Sequence, residues 1–326
     1  MDVILELCDQ HIFDSLYSHF LPNPSIPLSL SHLNTTSLPS SYSSSTTYHP
    51  CLQTESKWPR DDITRQTISI FLIAMFGAYV LYFLFSYISY QLLFDKRLRH
   101  HPKFLKDQEW LEIKSSLIAV PTIDVLTLPW FLGEVRGKSM LYEKVEDYGW
   151  MYLCSSVILY LVFTDFLIYW IHRLEHHPRV YKYIHKPHHK WIVPTPWAAL
   201  AFHPLDGYAQ SLPYHIFVFL FPMQKYVYLT LFVLVQLWTI IIHDADMITG
   251  SWWEKWLNSP AHHTLHHLYF TCNYGQYFVW ADEYFDSHRA PEQSLDPIHE
   301  SLRMMKKKGL IDEDGNEIPQ NDKKGQ

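Results

Sequence analysis

From Thr67 to Phe94 the chain runs for 28 residues without a charged side chain. Hydrocarbon offers a backbone no hydrogen-bonding partner, so a run of this length and polarity crosses ~30 Å of bilayer as a helix. The constraint extends to the rest of the chain. Apolar residues make up 48% of its 326 residues and aromatic residues 16%, gathered into a few long runs, a pattern that favours an integral membrane protein over two soluble domains. The formal charge of -7 is spread out and forms no basic stripe, so nucleic acid is not an expected partner.

Two further runs precede residue 172. Ser115–Leu132 is interrupted by Pro121, Asp124 and Pro129, and is expected to be a short span, kinked or re-entrant. Tyr148–Ile171 is a third span that leads straight into a histidine-rich segment. Leu212–Ile242 carries two apolar helical segments around Pro222, Gln224 and Lys225, a break that suits a hairpin entering and leaving on one side. Lys96, Arg97, Arg99, Lys103 and Lys106 follow the first span, against Lys57, Arg60 and Arg65 before it, so the positive-inside bias puts its C-terminal end in the cytosol. A lumenal N-terminus would also expose the sequon Asn34-Thr35-Thr36. The fold class expected is all-α: a membrane helical bundle of about three spans plus a re-entrant helical hairpin, with a cytosolic helical cap.

Ten of the 21 histidines fall within residues 172–189 and 262–267. HRLEHH supplies His172, His176 and His177, HKPHH supplies His185, His188 and His189, and HHTLHH supplies His262, His263, His266 and His267. Residues three and four apart share a helix face. His172/His176, His185/His189 and His263/His267 can therefore each pinch an ion, while His188 and His266 reach sideways toward a second one. Imidazole suits zinc, copper, iron and nickel, and the four cysteines are scattered without a CxxC. Structural zinc stops at four ligands, so nine or ten imidazoles point to two metals with open positions. His243, at the end of an apolar run, is a further candidate ligand, with Asp244 as its outer acceptor. His203 is either a ligand or the cap of a turn. Ser259-Pro260 reads as an N-cap followed by proline at the first helical position, so HHTLHH should open a helix. Pro187 places the start of the next helical turn after Lys186. Asp165, a charge within a span, is expected to back a ligating imidazole or to pair with Arg173.

The segment DFLIYWIHRLEHH, YIHKPHHKWIVPTPWAALAFHPLDG, IHDADM and HHTLHHLYFTCNYGQYF resembles the sterol C-5 desaturase branch of the fatty acid hydroxylase superfamily, over residues 164 to 285. Box one departs from that pattern at Glu175, where an apolar residue is more usual. The resemblance implies a non-haem di-iron enzyme of the endoplasmic reticulum membrane, multi-pass, with its active site facing the cytosol. It implies a delta-7 sterol and O2 as substrates, and electrons from NAD(P)H through cytochrome b5 and its reductase. It assigns the irons to His172, His176, His177, His185, His188, His189, His263, His266 and His267, with His262 and His243 as secondary candidates. The chain then divides into a mobile segment at 1–64, an N-terminal transmembrane region at 65–147, a catalytic domain at 148–290 and a polar tail at 291–326 that ends on a dilysine, Lys323-Lys324.

Other readings of the same residues lead elsewhere. Only seven residues separate His177 from His185, so no pair of spans fits between boxes one and two, unlike an acyl-CoA desaturase. A C-4 methyl sterol oxidase or lipid hydroxylase of the same superfamily would carry a similar cage. A membrane metal transporter would place its histidines within the spans, and a zinc hydrolase would want the Glu of HExxH.

Overall fold

A computed structural model of the chain describes residues 1–23 and 56–318. Most of the serine- and proline-rich stretch, the sequon at Asn34 and the terminal dilysine lie outside the described residues. The chain divides into two compact units, Met1–Ile73 and Ala74–Gln326.

In the first unit, α1 (Asp2–Cys8), a π-helical turn (Asp9–Phe13) and α2 (Asp14–Phe20) form one continuous helical stretch, followed by the start of α3 (Ile63–Leu92). The segment read as mobile over residues 1–64 is thus helical from Asp2 to Phe20. Leu5, Asp9, Phe13 and Tyr17 recur every fourth residue and are buried. The wider π turn keeps this stripe in line. Arg65 holds it to α3, pairing with Asp9 at 2.6 Å and Asp14 at 2.5 Å. Asp62 starts α3 by accepting the backbone N–H groups of Thr64 and Arg65.

In the second unit α3 continues, followed by α4 (Gln108–Val135), α5 (Gly149–Glu175), α6 (Pro178–Tyr181), α7 (Pro204–Leu220), α8 (Lys225–Ile241), α9 (Pro260–Tyr269), α10 (Trp280–Tyr284) and α11 (Ile298–Lys307). Helices α3, α4 and α5 are long and apolar enough to cross a membrane. The second span is not the short, broken run expected: α4 is one helix of 28 residues with Pro121 and Pro129 inside it. Proline at 121 leaves the Leu117 carbonyl without its helical partner. The Tyr79 hydroxyl donates to that carbonyl at 3.0 Å, so a neighbouring helix repairs the ladder within the bilayer.

The hairpin exists as α7 and α8, each 17 residues or ~25 Å long. Its tip, β2 (Met223–Gln224), pairs in parallel with β1 (Leu141–Tyr142) in the connector between α4 and α5. The Met140 N–H donates to the Val218 carbonyl at 2.7 Å, and the Gln224 side chain donates to the Glu143 carbonyl at 2.9 Å. The hairpin therefore runs to the end of α5 opposite to the one that carries His172. Tyr160 and Ile168 of α5 pack with Tyr214, Phe217 and Val218 of α7 to form the largest part of the core. Because α5 ends where α7 begins and α8 ends, the three histidine segments arrive at one end of the bundle.

Candidate metal centre

The histidines form two adjacent groups. In one, the ligand atoms of His172, His176, His185, His189 and His266 all lie within 4.8 Å of one another; in the other, those of His188, His243, His263 and His267 do. His172 is on the last turn of α5 and His176 caps that helix. His185 precedes a 3-10 turn, His188–Lys190, that carries the next two, and His243 follows α8. Ser259 and Pro260 start α9 as expected, and α9 presents His263, His266 and His267. The pairs His172/His176 and His185/His189 fall in one group and His263/His267 in the other. His188 joins the second group and His266 the first, each across from the pair on its own segment.

The outer edges of these rings set their tautomers. The Nδ1–H of His172 donates to the Tyr274 carbonyl at 3.0 Å, that of His266 to Cys272 at 2.7 Å, that of His267 to Trp191 at 2.9 Å and that of His243 to Thr239 at 2.6 Å. A carbonyl only accepts, so Nδ1 carries the hydrogen and each neutral ring turns an Nε2 lone pair inward. His185 does the same through Asp206, whose Oδ2 accepts at 2.7 Å. Inside the first group the Nε2 atoms face one another: His172 and His185 at 3.1 Å, His189 and His176 at 3.1 Å, His266 and His189 at 3.0 Å. In the second, His243 lies 3.2 Å from His188 and 3.1 Å from His263. Buried Nε2 of His267 has no hydrogen-bond partner among the described residues.

Burial works against relieving these contacts by protonation. Burial, reinforced by the neighbouring imidazoles, pushes His188, His189, His263, His266 and His267 well below the usual histidine range, and burial takes His243 down to about 4. His172 and His185, whose tautomers are both fixed from outside, set lone pair against lone pair and repel unless a cation lies between them, so the donor set fits metal ions. The donors are all imidazole, with no thiolate within either group. That favours a borderline metal such as iron or zinc over magnesium or calcium.

Three histidines are turned the other way. His177 is exposed, and its Nδ1 accepts the Arg179 N–H to cap α6. His203 likewise accepts the Leu205 N–H to cap α7. The Nδ1 of buried His262 accepts the Ser259 N–H at 3.2 Å, which leaves its Nε2 pointing away from both groups toward His288 at 3.4 Å. His177 and His262 are therefore not brought to the other boxes, whereas His243 is.

The carboxylates are also placed differently from the sequence expectation. Asp165 touches neither a clustered histidine nor Arg173: its Oδ1 accepts the backbone N–H groups of Gln276, Tyr277 and Phe278 at 3.1, 2.7 and 3.3 Å. Arg173 instead donates to the Tyr169 hydroxyl and the Phe285 carbonyl. Asp244 accepts the Asp246 N–H, and among the described residues the His243 ring nitrogens face Thr239, His188 and His263 instead. Asp282 accepts the N–H groups of Tyr274 and Gly275, both at 2.8 Å. Asp165 and Asp282 thus fix the Asn-Tyr-Gly-Gln-Tyr-Phe loop, whose Tyr274 carbonyl orients His172. A side chain at Gly275 would put its Cβ 2.4 Å from the Phe278 carbonyl oxygen, so only glycine fits that turn.

The carboxylate that backs a clustered histidine is Asp206, on the first turn of α7. Gln210 bridges it to Glu175 with contacts of 2.7 and 3.0 Å, and Glu175 lies 3.8 Å from the His185 ring. The polar Glu175 that interrupts box one therefore faces this buried network. A second network fixes the segment after box two: Gln108 donates to the Val193 carbonyl at 2.8 Å, Glu112 accepts the Thr195 hydroxyl, and Tyr82 donates to the Trp197 carbonyl at 2.8 Å.

The sequence profile of the fatty acid hydroxylase family matches residues 157–287, which include every clustered histidine. The chain is 60% identical over 318 residues to the Delta(7)-sterol 5(6)-desaturase ERG3B of Gibberella zeae, covering 98% of each chain. It is 56% identical to the Delta(7)-sterol 5(6)-desaturase erg3C of Aspergillus fumigatus, again over 98% of each. Against the lathosterol oxidase of Rattus norvegicus the identity is 50% over 236 residues, covering 72% of this chain and 79% of the relative. No solved structure matches.

Proposed function

We propose that this chain, which belongs to the fatty acid hydroxylase family and within it to the Delta(7)-sterol 5(6)-desaturases, introduces the C5–C6 double bond into delta-7 sterols at a non-haem di-iron centre. The observation that carries this reading is the five-plus-four convergence of imidazole Nε2 atoms, in a chain so similar over its whole length to desaturases of that name. His172, His176, His185, His189 and His266 would hold one iron, and His188, His243, His263 and His267 the other. Bound there, the irons would supply dioxygen activation and hydrogen abstraction.

The chain's own contribution is position and tautomer. Five outer hydrogen bonds, four to carbonyls and one to Asp206, hold ligand rings with their lone pairs inward. Burial disfavours protonation of His172, His243, His266 and His267 and limits the access of bulk water to them. Removing two hydrogens from the sterol while reducing dioxygen to water requires two further electrons. The readings from sequence fit this need: NAD(P)H would supply them through cytochrome b5 and its reductase, in the endoplasmic reticulum membrane, with the histidine end of the bundle facing the cytosol.

The test is expression in cells that lack C-5 desaturation, followed by identification of their sterols. Appearance of 5,7-dienes is the expected result. Accumulation of a hydroxylated or C-4 demethylated sterol in their place would assign the chain to a different reaction of the same superfamily. Metal analysis of the purified protein should find iron, and full activity in protein free of iron would sink the reading.

A further inference from the structure

The N-terminal helical stretch carries a second stripe beside the buried one. Ile4, Cys8, Ile12, Leu16 and Phe20 again recur every fourth residue. Of these, Ile12, Leu16 and Phe20 are 57, 41 and 69% exposed. On the other flank lie Glu6, Gln10 and Ser18. The stretch is thus amphipathic twice over, with one apolar face packed on α3 and a second face left uncovered by the described residues.

Its attachment to α3 sets its depth. Tyr17 reaches Ser69 at 3.2 Å, and Ser69 lies within the uncharged run that begins at Thr67. One turn earlier Arg65 holds Asp9 and Asp14, and Arg60, Asp61 and Asp62 mark the emergence of α3 into water. A helix fastened across the last charged turn and the first apolar turns of a span lies at the headgroup boundary. At that level Ile12, Leu16 and Phe20 are exposed, as are Ile63, Ile68 and Leu72 on α3 itself. Apolar side chains at that level partition into the acyl boundary, whereas the polar flank faces water.

We infer that residues 2–20 form an interfacial anchor, whose second apolar face is occupied by membrane lipid and which fixes the depth at which α3 enters the bilayer. Covalent or metal chemistry plays no part in it. The alternative occupant, the intervening segment 24–55, would shield the stripe from lipid and water alike.

The experiment uses the full chain with its four cysteines replaced by serine, reconstituted into phosphatidylcholine vesicles. An environment-sensitive fluorophore is attached at Ile12→Cys, Leu16→Cys or Gln10→Cys. Labels at 12 and 16 should be quenched at least ~2-fold more by lipids spin-labelled near the headgroup than by aqueous iodide, as expected for side chains ~5–10 Å into the boundary. The label at 10 should show the reverse. Iodide quenching at 12 and 16 equal to that at 10 overturns the inference, and so does protection of 12 and 16 from both quenchers, which would assign the stripe to a protein partner.

Discussion

Asp206 accepts the Nδ1–H of His185 at 2.7 Å, and neither side chain has any exposed surface. The pair joins the first turn of α7 to the loop between boxes one and two, so the carboxylate both fixes the ring and favours lone-pair donation from its Nε2. Asp206→Ala is expected to lower iron affinity and turnover by roughly 10–100-fold, the usual cost of losing such a partner. Asp206→Asn keeps an acceptor oxygen and should lose less. Iron per chain, measured by elemental analysis beside sterol turnover in the same membranes, checks both. A fully metallated, fully active Asp206→Ala enzyme would remove the residue from the centre.

Adjacent histidines in box one should behave oppositely. His176 lies 3.2 Å from His266 through its Nε2, whereas His177 only caps a four-residue helix. His176→Ala is expected to abolish turnover while the protein still inserts into membranes. His177→Ser replaces one capping acceptor by another and should keep turnover within about 2-fold, given that cap exchanges among good formers cost little. Loss of activity in His177→Ser with the fold intact would return His177 to the ligand set.

This contrast also marks where the sequence stops being legible. Spacing of three and four identifies the pairs His172/His176, His185/His189 and His263/His267, because helix geometry alone puts them together. It cannot choose between neighbours such as His176 and His177 or His262 and His263. That choice is made by which ring nitrogen a backbone N–H or carbonyl claims, and this depends on the turn formed around it. His243 was legible because an ionisable side chain at the end of an apolar helix needs a partner. Asp206 was not, since only the fold of the loop after box two carries it to His185. Similarly, Asp165 looked like a histidine partner in an apolar span, but three backbone amides, brought from more than 100 residues away, satisfy it. For α4, two prolines suggested a broken span, and Tyr79, which repairs one of them, belongs to a different helix.

Asp165 leads to a distinct expectation. Its Oδ1 holds three N–H groups, and its buried Oδ2 has no partner among the described residues. Asp165→Asn would set an amide NH2 there and leave a buried donor unsatisfied, at a cost of about 1–3 kcal/mol. The variant should therefore lower the thermal midpoint of the metallated protein and loosen the loop that carries Tyr274, without abolishing iron binding. Thermal unfolding in nanodiscs, with iron content read in parallel, distinguishes this from a ligand-backing role. An unchanged midpoint together with lost iron would favour the latter.

Removing the metal should expose the repulsion built into the centre. Without a cation, the Nε2 lone pairs of His172 and His185 face one another at 3.1 Å, and in both groups further Nε2 atoms converge at 3.0–3.2 Å, where burial disfavours a proton taking the cation's place. The folded state thus binds metal ions that the unfolded chain holds poorly, and stability rises with metal activity. At free iron ~100–1,000 times the dissociation constant the gain is about 2.7–4.1 kcal/mol per site, roughly twice that for two sites; at ~2–4 °C per kcal/mol, chelation of both should lower the midpoint by roughly 10–30 °C. His243→Ala, which removes one of four donors from the second group, should bind less iron and show a smaller drop on chelation, because part of the stabilisation is already lost. Calorimetry of both proteins before and after chelation makes the comparison. An equal midpoint in wild-type protein with and without metal would mean that these rings do not share a cation.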